Sequence, residues 1–259
     1  MKLADKVVVI TGAGGGLGEA CARRFAAEGA KVVVTDIDAD GVERVSRETG
    51  GAGLAADIST EAGVRAVADL ARRTYGEVDV WFSNAGRSGP SQAGQVQENA
   101  QWEAAWGLHV MSHVYAAREV LPSMVARGEG YLLQTASVIA LAMEADKAAY
   151  TVTKHAALSL AEWLAVTYRA KGIKVSCFCP GAMATPMLLS GYPDENHPVR
   201  QRAVTPEAEA DLLVRAIDEE RFLILDSWSF ADSRQARIED YEGWIDAQAA
   251  RLWGDAATG

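Results

Sequence analysis

The sequence predicts an α/β protein in three layers, with a doubly wound parallel sheet of about seven strands between two layers of helices. Three observations lead to this fold class. Short runs rich in β-branched residues alternate with helical patterns, the first run ends in a glycine-rich turn, and no internal repeat or linker interrupts the alternation. Such alternation favours parallel strands joined by right-handed crossovers, with helices on both faces of the sheet.

The strands are predicted from short apolar runs of the kind that a parallel sheet buries on both faces. They lie at 6–10, 31–35, 53–56, 78–83, 131–135, 173–179 and 222–225. The helices are predicted from apolar residues at helical spacing, and the first ends before Gly29. They lie at 17–28, 39–49, 61–75, 100–125, 147–170, 207–218 and 236–253.

The whole chain, 1–259, is expected to form one domain, because its length suits a single α/β core. The irregular, proline-rich stretch at about 182–205 is expected to be a substrate loop, since loops of this length usually have a function. A helical tail is expected at about 229–259.

Composition restricts the class of partner and the location. A net charge of −10 disfavours nucleic acid and anionic membrane surfaces as partners. No apolar stretch reaches membrane-spanning length, and the first residues lack the apolar region of a signal peptide. Three cysteines, Cys21, Cys177 and Cys179, form neither a disulfide framework nor a metal-ligand set, so no metal is expected. These features predict a cytoplasmic protein.

Ligands of such sheets bind outside the carboxyl ends of the strands, and the glycine-rich turn lies at the first of these ends. The turn runs Thr11-Gly-Ala-Gly-Gly-Gly-Leu-Gly18 and opens a helix. Glycines allow a tight turn and let a pyrophosphate approach backbone N–H groups at a helix N-terminus. The predicted cofactor-binding residues of this turn are Gly12, Gly14, Gly15, Gly16, Leu17 and Gly18.

Asp36 ends the second predicted strand and is followed by Ile37. A carboxylate at this place can accept hydrogen bonds from the ribose hydroxyls of NAD and would repel the 2′-phosphate of NADP. The glycine turn has no Arg or Lys to neutralise that phosphate. Both residues are therefore predicted to bind the cofactor, with NAD favoured over NADP; the alternative is a solvated loop carboxylate.

Further motifs follow the other strands in order. Asp57-Ile58 follows the third, Asn84-Ala85-Gly86 the fourth and Ser137 the fifth; Tyr150-x-x-x-Lys154 opens the next helix, and Pro180-Gly181 with Met183 and Thr185 follows the sixth. Together with the Thr-Gly-x-x-x-Gly-x-Gly turn, this order resembles the short-chain dehydrogenase/reductase family, which has the NAD(P)-binding Rossmann fold. The resemblance implies that Asp57, Ile58, Asn84, Ala85, Gly86, Tyr150, Lys154, Pro180, Gly181, Met183 and Thr185 contact the cofactor.

The resemblance also implies that Ser137, Tyr150 and Lys154 are catalytic, and their chemistry suits alcohol oxidation. The hydroxyl proton needs a base, but a free tyrosine has a pKa of about 10. Lys154 lies four residues after Tyr150 on the same helix face, where its cation can favour the phenolate. Ser137 can hydrogen-bond the substrate oxygen. Alternatively, the Tyr-Lys pair is an ordinary helix surface and Ser137 a turn cap.

One position departs from the family pattern. The family usually has Asn in the helix before the fifth strand, in a pattern like W-x-x-x-x-x-x-N-x-x-G. Here Trp102 matches, but His109 stands in the Asn place and Ser112 in the Gly place. His109 is included among the catalytic candidates because it can titrate near neutral pH. The favoured interpretation is nevertheless a helix residue that preserves a kink.

Apolar residues are expected to contact the substrate beside Ser137 and Tyr150. The candidates are Ile139, Met143, Met187 and Leu188, which favour a hydrophobic secondary alcohol or ketone. The family commonly dimerises through two long helices, here 100–125 and 147–170, so a homodimer or homotetramer is expected. Two alternatives stay open: an enzyme of the same fold that uses NAD without net oxidation, such as a dehydratase or epimerase, and a catalytically silent NAD-binding protein.

Overall fold

The computed structural model describes residues 1–92, 94–227 and 231–253. In these residues seven strands form one parallel sheet in the order β3-β2-β1-β4-β5-β6-β7, which confirms the predicted fold class. The strands are β1 (Val7–Thr11), β2 (Lys31–Asp36), β3 (Ala52–Ala55), β4 (Val80–Ser83), β5 (Gly130–Thr135), β6 (Ile173–Cys179) and β7 (Leu223–Leu225).

The helices follow the strands in the doubly wound pattern. They are α1 (Gly16–Ala27), α2 (Ala39–Thr49), α3 (Glu61–Tyr75), α4 (Asn99–Trp106), α5 (Ser112–Arg127), α6 (Ala148–Tyr168), α7 (Pro186–Gly191), α8 (Pro198–Gln201), α9 (Pro206–Asp218), α10 (Ala231–Glu239) and α11 (Tyr241–Trp253). A π-helical turn occupies Gly107–Met111, and two short 3₁₀ turns occupy Val138–Leu141 and Arg169–Lys171.

Two apolar clusters show why the sheet lies in the middle of the molecule. Along β1, Val7 and Val9 pack on one face with residues of α3, α5 and α6, whereas Val8 and Ile10 pack on the other with residues of α1, α2 and α9. All five residues of β1 are buried, as a strand covered on both faces requires. The sheet order changes direction between β1 and β4, and a ligand cleft opens beyond the carboxyl ends of strands at such a point.

Three predicted elements differ from the structure. The helix predicted at 100–125 is divided into α4 and α5 by the π-helical turn, because the backbone there inserts one extra residue per turn. The loop predicted at 182–205 contains α7 and α8, each of which begins with proline at its first position. The helix predicted at 236–253 is two helices that meet at Asp240. Residues 229, 230 and 254–259 of the predicted tail lie outside the described residues.

Gly18 lies in the first turn of α1, against the backbone of the glycine turn. A Cβ at this position would stand 2.1 Å from the carbonyl oxygen of Gly12 and 2.8 Å from Cα of Ala13, and neither backbone atom can move aside. Gly18→Ala is therefore expected to lower the free energy of unfolding by about 2–4 kcal/mol. Urea denaturation measures the change.

Gly15→Ala is the matched control, because Gly15 has an extended backbone and a Cβ there would meet only Glu19, at 4.0 Å. It should unfold close to the parent protein. Equal unfolding free energies for the two variants would contradict the packing argument.

Candidate active site

The glycine turn and the end of β4 are joined by a network of hydrogen bonds. The Thr11 hydroxyl oxygen accepts hydrogen bonds from the backbone N–H groups of Asn84 (2.9 Å) and Ala85 (3.0 Å). The Asn84 side-chain amide donates to the carbonyl oxygen of Thr11 at 2.9 Å. Gly12 has φ +66° and its missing Cβ would lie 2.7 Å from Cα of Ala85, so only glycine fits this approach. These contacts fix the glycine turn against the end of β4.

The Asp36 carboxylate reaches the same turn from the end of β2. One carboxylate oxygen accepts the N–H of Gly14 at 3.0 Å, and the other accepts the N–H of Asp38 at 3.1 Å. Asp36 therefore holds the turn from one side and places its negative charge where the sequence predicts the adenine ribose. Ile37, the next residue, is 78% exposed.

Arg44 of α2 also contacts the turn. Its guanidinium donates to the carbonyl oxygen of Gly14 at 3.0 Å and forms an ion pair with Glu19 at 2.5 Å. Hydrogen bonding to Glu19 raises the pKa of Arg44 above its usual range and lowers that of Glu19. The guanidinium that contacts this turn is thus already paired with a carboxylate.

The predicted cofactor residues of the glycine turn and of the loop after β6 lie close to each other. A Cβ on Gly16 would lie 3.3 Å from Cγ2 of Thr185, so the turn faces the loop after β6 across the edge. A Cβ on Gly15 would meet only the Glu19 carboxylate, at 4.0 Å. Pro180 accepts the N–H of Val138 at 2.8 Å, and Gly181 donates its N–H to Asp226 at 2.8 Å.

The other residues predicted to contact the cofactor have structural contacts of their own. The Asp57 carboxylate accepts the Ser59 N–H at 2.9 Å and orders the chain before α3. Ile58 and Leu17 are buried in the two apolar clusters. Met183 pairs with Val204 in an isolated bridge, which ties the loop after β6 to the residues before α9.

The structure brings Ser137, Tyr150 and Lys154 together. Ser137 acts on the Tyr150 side chain and lowers the pKa of Tyr150, and the Ser137 hydroxyl accepts the N–H of Ile139 at 3.2 Å. The Lys154 ammonium donates to the carbonyl oxygen of Thr135 at 3.1 Å and lies 5.7 Å from the centre of the Tyr150 ring. The helical spacing places both residues on the face of α6 that meets β5 and the following turn.

Burial dominates the proton affinities of this group. Burial raises the pKa of Tyr150, although the side chain of Ser137 opposes the shift. Burial also lowers the pKa of Lys154 to about 8. The charge of Glu144 raises the pKa of Tyr150 further. The role of Lys154 in favouring the phenolate stays a prediction.

His109 lies in the π-helical turn with both ring nitrogens engaged. Its Nε2 accepts the N–H of Arg87 at 3.2 Å, so the proton is on Nδ1, which donates to the Thr153 hydroxyl at 2.9 Å. Burial, followed by the charge of Lys154, lowers the pKa of His109 to about 2 and keeps the ring neutral. The ring also packs edge-on against Tyr150, with centroids 5.7 Å apart. His109 thus ties the chain after β4 to α6.

The predicted substrate residues lie on two segments. Ile139 is in the 3₁₀ turn after Ser137, and Met143, 39% exposed, follows that turn. Met187 and Leu188 lie on α7, and Met187 is 46% exposed.

A cleft beside Tyr150 contains polar residues that the sequence analysis missed. It is lined by His109, Arg87, Gln97 and Gln101 among others. Within the described residues, the buried Oε1 of Gln101 accepts no hydrogen bond. Arg87 directly follows the Asn84-Ala85-Gly86 motif, so its position in the chain could have predicted a place in this cleft. Gln97 and Gln101 belong to no motif that could have predicted theirs.

The described residues contain neither a cluster of metal ligands nor a helix that could span a membrane. Within residues 1–92, 94–227 and 231–253 no group of three or more His, Cys, Asp or Glu side chains could hold a metal ion. In the same part of the chain, no helix is both long and apolar enough to cross a membrane.

Comparison with known proteins identifies the family. Residues 6–196 match the model of the short chain dehydrogenase family. The chain is 34% identical over 249 residues to 1-deoxy-11-beta-hydroxypentalenate dehydrogenase of Streptomyces exfoliatus, covering 93% of this chain and 88% of that protein. The chain is therefore an oxidoreductase that belongs to the short-chain dehydrogenase family.

Solved structures agree with this assignment. A short-chain dehydrogenase/reductase from Burkholderia phymatum in complex with NAD has a TM-score of 0.84 and 30% identity, covering 93% of this chain and 96% of that one. The L-sorbose reductase of Gluconobacter frateurii, complexed with NADPH and L-sorbose, has a TM-score of 0.78 and 28% identity, covering 87% and 97%. Structural relatives thus bind either nicotinamide dinucleotide.

Proposed function

We propose that this protein is an NAD-dependent dehydrogenase that interconverts a secondary alcohol and a ketone, with Tyr150 as the general acid and base. The observation that carries the proposal is the convergence of Tyr150, Ser137 and Lys154 at the strand edge that the glycine turn also faces. When bound, NAD supplies the hydride acceptor in oxidation, and its reduced form supplies the donor.

Each side chain has a defined task in this proposal. In alcohol oxidation the Tyr150 phenolate takes the hydroxyl proton, and in reduction the Tyr150 hydroxyl returns it. Ser137 donates a hydrogen bond to the substrate oxygen, where charge develops. Lys154, fixed by the Thr135 carbonyl, contributes positive charge below Tyr150 and binds the nicotinamide ribose. His109 positions the segment that begins at Arg87.

The substrate is proposed to be a small molecule with an apolar body, because apolar Ile139 and Met143 follow Ser137 in the chain. Met187 and Leu188, on α7, are proposed to contact it as well. The name of the Streptomyces exfoliatus relative describes a hydroxy acid, which suits a secondary alcohol that also carries a carboxylate. An activity assay tests this proposal. The purified protein should reduce NAD to NADH when secondary alcohols from a panel are added. Absence of turnover with every alcohol, despite NADH binding, would favour the silent NAD-binding alternative.

The preference for NAD is proposed from Asp36 and from the pairing of Arg44 with Glu19. Asp36→Ala should reduce the ratio of NADH to NADPH affinity by about tenfold or more, because the carboxylate that repels a 2′-phosphate is removed. Fluorescence titration with each reduced cofactor measures the ratio. Asp40→Ala is the control, since it removes an exposed acid in the first turn of α2, four residues further on. Equal ratios in the two variants would show that Asp36 does not select the cofactor.

The remaining expectations are proposed together. The chain is one domain that acts in the cytoplasm, consistent with three free cysteines, all buried. Its assembly as a homodimer or homotetramer is supported by large apolar side chains exposed on α4 and α6, namely Trp106, Val152, Trp163 and Val166. Sedimentation equilibrium distinguishes these assemblies.

A further inference from the structure

Arg87 stands one residue beyond the Asn84-Ala85-Gly86 segment, beside the reactive side chains. Its backbone N–H donates to Nε2 of His109 at 3.2 Å. A Cβ on the preceding Gly86 would lie 3.5 Å from the Lys154 ammonium nitrogen. These contacts fix the backbone of Arg87 beside His109 and Lys154.

The Arg87 side chain lines the same cleft as Tyr150 and His109. Within the described residues its guanidinium makes no hydrogen bond and no ion pair, whereas Arg23, Arg44 and Arg72 each pair with a carboxylate. The chain carries a net charge of −10, so carboxylates are abundant. Arg87 is exposed, so water solvates its charge and the guanidinium stays available to an incoming anion. A guanidinium binds carboxylates through two parallel hydrogen bonds.

A second charge, on Glu144, acts on Tyr150. The Glu144 carboxyl lies near Tyr150 and Tyr192 and raises the pKa of both tyrosines. Burial and nearby Asp146 raise the pKa of Glu144. The Arg87 cation, in contrast, acts on His109 and lowers its pKa. An anionic group of a substrate bound in the cleft lined by Arg87 and Tyr150 is therefore attracted towards Arg87.

We propose that Arg87 binds a carboxylate of the substrate, so that the substrates are hydroxy acids or keto acids whose reacting carbon faces Tyr150 and Ser137 while the carboxylate pairs with the guanidinium. This rests on the proposed function and specifies its substrate class. The apolar body of the substrate then lies between the two polar ends, against Ile139 and Met143.

The test measures the binding of two probes of equal size to the protein saturated with NADH. Cyclohexanecarboxylate and cyclohexanecarboxamide have the same shape and differ in charge, and isothermal titration at constant ionic strength gives both affinities. We expect the carboxylate to bind at least about tenfold more tightly than the carboxamide, as one charge-assisted bidentate pair provides. Arg87→Met should abolish this preference, and Arg87→Lys should restore part of it, while NADH affinity stays unchanged.

Arg73→Met is the control, because Arg73 is an exposed arginine of α3 and its loss changes the net charge equally. It should keep the parent preference. No detectable carboxylate binding, or a preference that persists in Arg87→Met, would overturn the proposal. Weaker NADH binding in Arg87→Met with an intact carboxylate preference would overturn it as well, by assigning Arg87 to the cofactor.

The proposed function fails in a different way. If the parent protein binds no NADH, the nucleotide site itself is wrong, and the carboxylate argument is lost with it. If NADH binds and neutral secondary alcohols are oxidised without any carboxylate preference, the dehydrogenase stands and only the role of Arg87 is refuted. With an active hydroxy acid in hand, Arg87→Met should raise KM far more than it lowers kcat.

Discussion

Tyr150→Phe is expected to reduce kcat by at least about a hundredfold, while the affinity for NADH changes by less than about twofold. The substitution removes the one hydroxyl that can exchange a proton with the substrate oxygen. It keeps the ring, and with it the edge-on packing against His109 and the half-buried position on α6. Initial rates with NAD and a secondary alcohol, together with NADH titration, separate chemistry from binding.

Tyr168→Phe is the matched control, since Tyr168 is the last residue of α6 and packs edge-on against Trp163, away from the cleft. It should keep parental activity. Near-normal rates in Tyr150→Phe would remove Tyr150 from the mechanism. If the parent protein changes an alcohol without forming NADH, the enzyme without net oxidation becomes the better interpretation.

Glu209 is expected to make the protein less stable as the pH rises from about 5 to about 8. Its side chain, on α9, is 1% exposed, and in the described part of the chain neither carboxyl oxygen receives a hydrogen bond. Burial, then the negative charge of Asp226, raises the pKa of Glu209 from 4.5 to about 8. The other titratable neighbour is the thiol of Cys21 on α1, whose own pKa is raised by burial and by Glu209.

The direction follows from proton binding. Between the unfolded pKa, 4.5, and the folded pKa, about 8, the folded protein holds a proton that the unfolded chain has released. Raising the pH through this window therefore favours unfolding, and above about pH 8 the loss is complete. The interval corresponds to a loss of roughly 3–5 kcal/mol in the free energy of unfolding.

Glu209→Gln removes this effect, because the amide has a similar shape and no charge at any pH. Urea denaturation at several pH values from 5 to 8.5 should show a smaller decline in the variant than in the parent protein. Glu207→Gln, two residues earlier on α9, is the control and should decline like the parent. Parallel pH profiles for the parent and Glu209→Gln would mean that Glu209 does not carry the raised pKa.

The carboxyl of Glu209 is also near the active site. Asp226, whose charge acts on it, accepts the N–H of Gly181 in the loop after β6. Ionisation of Glu209 thus brings two negative charges together beneath that loop. Electrostatic repulsion beneath that loop therefore grows over the same pH range in which stability falls.

Local signals predicted most of the fold. A run such as Val7–Thr11 is β-branched and apolar throughout, and only a strand buried on both faces suits it. The glycine turn after it and the Tyr150–Lys154 pair on one helix face depend on residues close together in the chain. Their order also indicated the family, which the comparisons confirm. The roles of the individual site residues stay predictions.

The sequence by itself thus determined the parallel sheet, the position of the glycine turn and the strand ends at which polar residues collect, because these follow from backbone geometry and from spacing within one element. Only the tertiary structure decided that His109 is held neutral between Arg87 and Thr153, that Arg87 enters the cleft without a carboxylate, and that Glu209 is buried near Asp226. Each depends on contacts between distant segments, where desolvation and the identity of the neighbours set charge and orientation, and spacing along the chain carries no record of either.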